Sequence, residues 1–212
     1  FVYLDTNGRV WISVSTRIRP RADAYRPNAG DGFIVMVEEG KARIVADGIG
    51  DTNECLVYPG GEWLYVNETF ARRLSRFPIH ADGSLGNKEV IAEFGEGTFP
   101  DGMAFDSAGG VWIVSIVSNR LIRVAPDGSQ TVYLEDSDPE HLAWVEEAYQ
   151  AHRMDRPHLD QVKSRRLKNI SSLAFGGADL KTMYLGCLLG DAVATLPSDF
   201  AGVAPVHWNF DD

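Results

Sequence analysis

An all-β fold, a β-propeller built of four-stranded blades, is what the sequence predicts, and three observations predict it. A strand–turn–strand hairpin recurs four times, two more strand-like segments come after each hairpin, and an aromatic residue near the start of the second strand marks the period. The hairpins are FVYLD-TNGR-VWISVS, ECLVY-PGGE-WLYVNE, GMAFD-SAGG-VWIVSI and SSLAF-GGADLKT-MYLGCL. Their turns hold Asn7-Gly8, Gly60-Gly61, Gly109-Gly110 and Gly176-Gly177, which accept the positive φ of a tight hairpin. The later segments of each unit are GFIVMVEEG and KARIVAD, RLSRFPI and KEVIAEF, RLIRVAPDG and TVYLE, and DAVATLP and VHWNF. Trp11, Trp63, Trp112 and Tyr184 are separated by 52, 49 and 72 residues. Units of this length stack radially in propellers. An irregular all-β sandwich is the alternative reading of the same hairpins.

The long last interval contains an insert, about 137–167. Asp138 reads as an N-cap and Pro139 as the first helical position, after which Leu142, Val145, Tyr149 and His152 recur at helical spacing. A helical excursion between blades is expected there, packed on the rim or acting as a lid. A long loop, 15–32, interrupts the first unit and carries Arg17, Arg19, Arg21 and Arg26. Loops of that length in compact domains are commonly functional.

Bulk composition narrows the function classes. The chain has 212 residues, 44% of them hydrophobic, and a net charge of −10, so one globular propeller domain over 1–212 is expected. The acidic balance argues against nucleic acid or an anionic membrane as partner. No run of about 18 apolar residues is present. FVYLDTNGRVW does not read as a secretory leader, a cytoplasmic location is expected, and the start in mid-pattern suggests missing upstream sequence. Cys55 and Cys187 sit in apolar runs and read as reduced, buried thiols; no Cys/His cluster has zinc spacing. The five histidines read as packing or surface groups.

Propeller geometry then selects the polar residues to inspect. The innermost strand of each blade lines the channel, and its first residues reach one rim. Asn53 lies 10 residues before Trp63 and Asp101 lies 11 before Trp112, so they occupy equivalent places in adjacent blades. The same count falls at or just before Phe1 in the first unit and near Ser171 and Ser172 in the fourth. A carboxylate and an amide oxygen suit a hard divalent cation, Ca²⁺, Mg²⁺ or Mn²⁺. Equally, each could serve only to cap its own turn.

At these residues the chain resembles the SMP-30/gluconolactonase/luciferin-regenerating-enzyme (LRE-like) family. TFPDGMAFDSAGGVWIVSIVSNRLIRVAPDG resembles the family blade with a PDG element, GIGDTNECLVYPGGEWLYVNET the preceding blade, and ISSLAFGGADLKTMYLGC a later one. The resemblance implies a six-bladed propeller, roughly two blades more than the four visible here, holding one divalent metal (Ca, Zn, Mn or Mg). It implies metal ligands Asn53 and Asp101, with a second Asn immediately before Phe1 and a Glu further upstream. It also implies hydrolysis of a sugar lactone or related cyclic ester, in which the metal polarises the carbonyl and Asp101 is the catalytic base toward water. Arg17 or Arg19 and the rim serines, Ser172 above all, are candidate substrate contacts. No GxSxG elbow accompanies the serines. Two other classes fit the repeat: a non-catalytic scaffold propeller, and a strictosidine-synthase-like enzyme.

Overall fold

The computed structural model describes residues 1–208 and contains four antiparallel sheets in chain order. Sheet one holds β1 (Val2–Leu4), β2 (Val10–Val14), β3 (Gly32–Glu38) and β4 (Lys41–Ile49). Sheet two holds β5 (Thr52–Val57), β6 (Trp63–Glu68), β7 (Arg73–Pro78) and β8 (Glu89–Glu93). Sheet three holds β9 (Thr98–Phe105), β10 (Val111–Val117), β11 (Arg120–Val124) and β12 (Gln130–Glu135). Sheet four has three strands, β13 (Ile170–Gly176), β14 (Thr182–Cys187) and β15 (Ala194–Pro197). The first strands are neighbours in sequence order, β13 against β9, β9 against β5 and β5 against β1.

The expected strand VHWNF does not form over its described residues, 206–208. Val206–Trp208 lie in a turn closed by the Trp208 N–H on the Pro205 carbonyl, and 209–212 fall outside the described residues. After β15 the chain instead crosses back to sheet three, where Val203 N–H donates to Phe105 O and Gly202 bridges Asp106. Pro205 has no N–H to give to a ladder, so an apolar alternation alone could not continue the sheet.

Sheet three shows why the repeat is stable. Every residue of β10 (VWIVSIV) is buried, because the sheet is covered on both faces by its neighbours. Two of the four hairpins share a polar staple. Asp5 Oδ2 accepts from Trp11 Nε1 at 2.9 Å and Asp106 Oδ2 from Trp112 Nε1 at 2.8 Å, while each Oδ1 accepts backbone N–H groups of its own turn. The carboxylate thus fastens turn and central strand together. Trp63 and Tyr184, which mark the period in the other two hairpins, lack this partner and are more exposed.

The insert forms α1 (Pro139–Gln150) and α2 (Arg156–Asp160), and Asp138 caps α1 by accepting from His141 N–H at 2.8 Å. Val145 and Tyr149 bury against Phe70, Phe99 and Tyr25, so α1 is seated over the rim of sheets two and three. Tyr149 OH donates to Phe70 O at 2.6 Å, and Glu146 pairs with Arg72. His141 and His158 are buried in this packing, His141 Nε2 lying 3.1 Å from His158 O. Among the described residues no helix is long and apolar enough to cross a membrane. Cys55 is buried, Cys187 is half-buried, and both are free thiols.

Candidate functional site

Asn53 and Asp101 come together on the first strands of adjacent sheets, β5 and β9, and β-bulges put them there. Between the pairs Thr52↔Glu68 and Cys55↔Val66, Asn53 and Glu54 of β5 face a single residue, Asn67. Between Ser115↔Pro100 and Ile113↔Met103, Asp101 and Gly102 of β9 face a single residue, Val114. Sheet four repeats the irregularity at Ser171, between Ile170↔Cys187 and Ser172↔Gly186. Such bulges bend a strand and re-aim the side chain at that point. Asn53 and Asp101 therefore lie within their strands, not before them, because pairing resumes on the rim side of each bulge. Pro100 is tolerated since β9 is the edge strand of its sheet.

Hydrogen bonds tie the two bulges to each other. Asn67 Nδ2 donates to the Asp101 carbonyl at 2.7 Å, and Thr69 Oγ1 donates to the Pro100 carbonyl at 2.7 Å. Thr69 Oγ1 also accepts from Asn53 Nδ2 at 3.0 Å, leaving the Asn53 amide oxygen available as a ligand. Glu54 Oε2 accepts from Met103 N–H at 2.7 Å, bracing β5 against β9. Gly102 lies where a Cβ would stand 2.7 Å from both Ser171 O and Ser172 Cα. Gly102→Ala is therefore expected to destabilise the protein by about 1–3 kcal/mol through overpacking, read as a lower melting temperature; an unchanged melt would show that β13 can retreat.

The site is rich in buried acid and poor in cation. Burial pushes Asp101 up to about 7, against the Asn53 side chain and the Arg21 charge. Burial likewise pushes Asp51 up to about 7 and Glu54 up to about 8, with the Asp101 charge adding to each. Both oxygens of Asp51 and the Oδ1 of Asn67 are buried without a hydrogen-bond partner among the described residues. Arg21, from a 3-10 turn at Arg21–Ala24, approaches Asp51 at 3.7 Å. Clustered oxygen donors are the chemistry a hard cation takes. Among the described residues no three His, Cys, Asp or Glu side chains form a chelating group.

The other expected contacts sit elsewhere. Arg17 is committed to Asp47 of β4 through two bonds of 2.8 and 2.9 Å and stacks over Phe33 at 4.0 Å. Arg19 is exposed, and Arg21 is the arginine of this loop that reaches the acids. Ser172 is exposed, its hydroxyl lying over Gly186, its register partner. Glu54, Asp51, Asn67 and Thr69 were not among the residues expected from the sequence. Simple alternation sends Glu54 to the face opposite Asn53, and only a bulge brings both toward β9.

Residues 2–138 match the family described as SMP-30/Gluconolactonase/LRE-like region. The chain is 28% identical over 184 residues to a 6-deoxy-6-sulfogluconolactonase of Pseudomonas putida, covering 86% of this chain and 51% of that protein. It is 26% identical over 192 residues to the pentonolactonase XacC of Haloferax volcanii, covering 90% and 53%. The chain thus spans about half the length of the curated relatives it matches. Among solved structures it resembles the calcium-binding protein regucalcin of Agrobacterium tumefaciens (TM-score 0.68, 19% identity, 99% of this chain and 64% of that one). A luciferin-regenerating enzyme superposes with a TM-score of 0.67 at 16% identity, over 97% and 63%. At such identities the two structures speak to the fold. On the match over residues 2–138, the chain belongs to the SMP-30/gluconolactonase/LRE-like family.

Proposed function

We propose that this chain carries the core of a divalent-metal-dependent sugar lactonase, within a propeller that further blades complete. The observation that carries the reading is the pair of bulges that brings Asn53 and Asp101 together on the first strands of adjacent sheets inside the family-matched segment. Relatives named as lactonases of gluconate- and pentonate-type sugars support the substrate class. Exposed apolar side chains at both ends of the row of sheets support a larger ring: Phe1 beside β1, Val2 and Leu4 on it, and Tyr184, Leu188 and Val193 at sheet four. Such surface ordinarily seeks a cover.

In this reading the Asn53 amide oxygen and the Asp101 carboxylate would hold the cation, together with residues of the completed protein. When bound, it would supply electrophilic pull on the lactone carbonyl. Asp101, through its other oxygen, takes a proton from water as the water oxygen bonds to the carbonyl carbon. The ring C–O bond then breaks, and the proton passes to the departing alkoxide, giving the open aldonic acid. Arg21 faces Asp51 at 3.7 Å.

Metal removal tests this. Chelation of the complete protein is expected to lower its melting temperature and abolish gluconolactone hydrolysis, with Ca²⁺, Mg²⁺, Mn²⁺ or Zn²⁺ restoring both. A protein with no bound metal, whose melt ignores chelator and added cations, would instead be a scaffold propeller.

A further inference from the structure

Thr69 stands where the hydrogen bonds joining β5 to β9 meet, and the hydrolytic step gives it no part. It directly follows β6, in the turn to β7, and is buried. Its hydroxyl has one hydrogen to give, and the Pro100 carbonyl, an acceptor only, takes it at 2.7 Å. The hydroxyl oxygen can then meet Asn53 only as an acceptor. Asn53 must therefore present Nδ2–H to Thr69, which it does at 3.0 Å, and its amide oxygen is turned to the other side. The Asn53 side chain also bonds the Asp101 carboxyl. Thr69 thus reaches both members of the pair, Asn53 through its amide and Asp101 through the carbonyl of the residue before it.

The turn that carries Thr69 is held firmly. Thr69 N–H donates to Asp51 O at 3.2 Å, and Thr69 O accepts from Arg72 N–H at 3.2 Å. The helical insert grips the rest of the turn. Tyr149 OH donates to Phe70 O, and Glu146 pairs with Arg72 while accepting from Gly97 N–H at 2.6 Å. One carboxylate of α1 therefore ties the turn of Thr69 to the residue that precedes Thr98, where β9 begins. A buried hydroxyl serving the fold alone needs only the Pro100 carbonyl as partner. Here its second bond ends on Asn53.

We propose that Thr69 is a positioning residue of the cation site: its hydroxyl fixes which way the Asn53 amide faces and holds that amide level with the Asp101 bulge. The inference rests on the metal-holding part of the proposed function. Residues that orient a ligand without touching the metal change metal affinity by about 10- to 100-fold when removed. The insert acts here through Glu146 and Tyr149, as a clamp on the turn.

The test is cation binding by the complete protein, measured by calorimetry with Ca²⁺ and with Mn²⁺ in the absence of substrate. Thr69→Val keeps the shape of the side chain and removes both bonds, and is expected to weaken binding about 10- to 100-fold. Thr69→Ser keeps the hydroxyl and should bind as wild type does. The loss is then measured again in Asn53→Ala, at higher cation concentration. A hydroxyl that acts through Asn53 has nothing left to orient there, so Thr69→Val should weaken binding no further. Equal losses in both backgrounds would show a general loosening of the fold and overturn the proposal. Thr69→Cys, similar in size and weak in both bonds, replaces Thr69→Val if that variant does not fold, and the same pattern is expected of it. Gluconolactone hydrolysis separates this inference from the lactonase reading. Affinity that depends on Thr69 through Asn53, in a protein that hydrolyses no lactone, would uphold the positioning role and sink the lactonase. Undiminished affinity in Thr69→Val beside normal hydrolysis would overturn the positioning role and leave the lactonase standing.

Discussion

Asp101→Ala is expected to lower kcat/KM for a sugar lactone by about 10³-fold in the complete protein, equivalent to roughly 4 kcal/mol of transition-state stabilisation. The substitution removes a metal ligand and the proton acceptor together. Asp101→Asn separates them, since an amide oxygen can still coordinate a hard cation but cannot take a proton from water. The accompanying stability change distinguishes this role from a structural one. Burial pushes Asp101 up to about 7, so its carboxyl is not a source of folding stability in the metal-free protein. The metal-free melting temperature should therefore hold or rise in Asp101→Asn, while the rise on adding metal shrinks. Near-normal hydrolysis in Asp101→Ala, with the metal-induced rise intact, would remove Asp101 from the site altogether.

The largest effect on stability is expected at Asp106. Its side chain is fully buried and accepts from Trp112 Nε1, from Gly110 N–H, and from Arg123 Nε at 2.7 Å. Burial alone would raise its pKa, but these bonds outweigh burial and hold it below the usual carboxylate range. Asp106→Ala leaves a guanidinium and an indole N–H without their acceptor in the core, at a cost of about 3–5 kcal/mol. A carboxyl depressed in the folded state contributes its full stability above the unfolded value of about 3.9, and that contribution is lost as pH falls through the folded value. Denaturation of wild type and Asp106→Ala should thus differ most near pH 7 and converge on acidification below about pH 4. A gap of constant size across that range would show that packing, not the ionised carboxylate, is what the substitution removes.

Much of the scaffold is legible in the sequence because it depends on short-range chemistry. Alternating apolar residues, glycine-bearing turns and a recurring aromatic specify hairpins locally, and Asp138-Pro139 starts α1 where it is expected. The staples at Asp5 and Asp106 are also written there, as an Asp six residues before a Trp in two hairpins of four. Among the described residues the fourth sheet has three strands, because Val206–Trp208 turn and do not pair with β15. The chain beyond β15 is drawn to sheet three instead, through Gly202 and Val203.

The site is legible only in part. Counting back from Trp63 and Trp112 puts Asn53 and Asp101 level, and they are level. Glu54 escapes, since period-two alternation assigns it to the wrong face and a bulge cannot be read from composition. Asp51 and Asn67 escape for another reason: each matters through a partner on a different element, Asp51 with Arg21 and Asn67 with the Asp101 carbonyl 34 residues away. Arg17, the expected contact, is captured by Asp47 across 30 residues.

By itself, then, the sequence determined the repeating hairpins, the helical insert and the register of Asn53 with Asp101, because hydrophobic periodicity and turn chemistry act within a few residues. Only the tertiary structure decided which acids are desolvated together beside Asp101, which arginine reaches them, and that the first-sheet loop and the insert border an open, basic concavity. Those depend on burial and on charges meeting across sheets, and Coulomb energy and desolvation are set by distance in space, to which sequence separation is no guide.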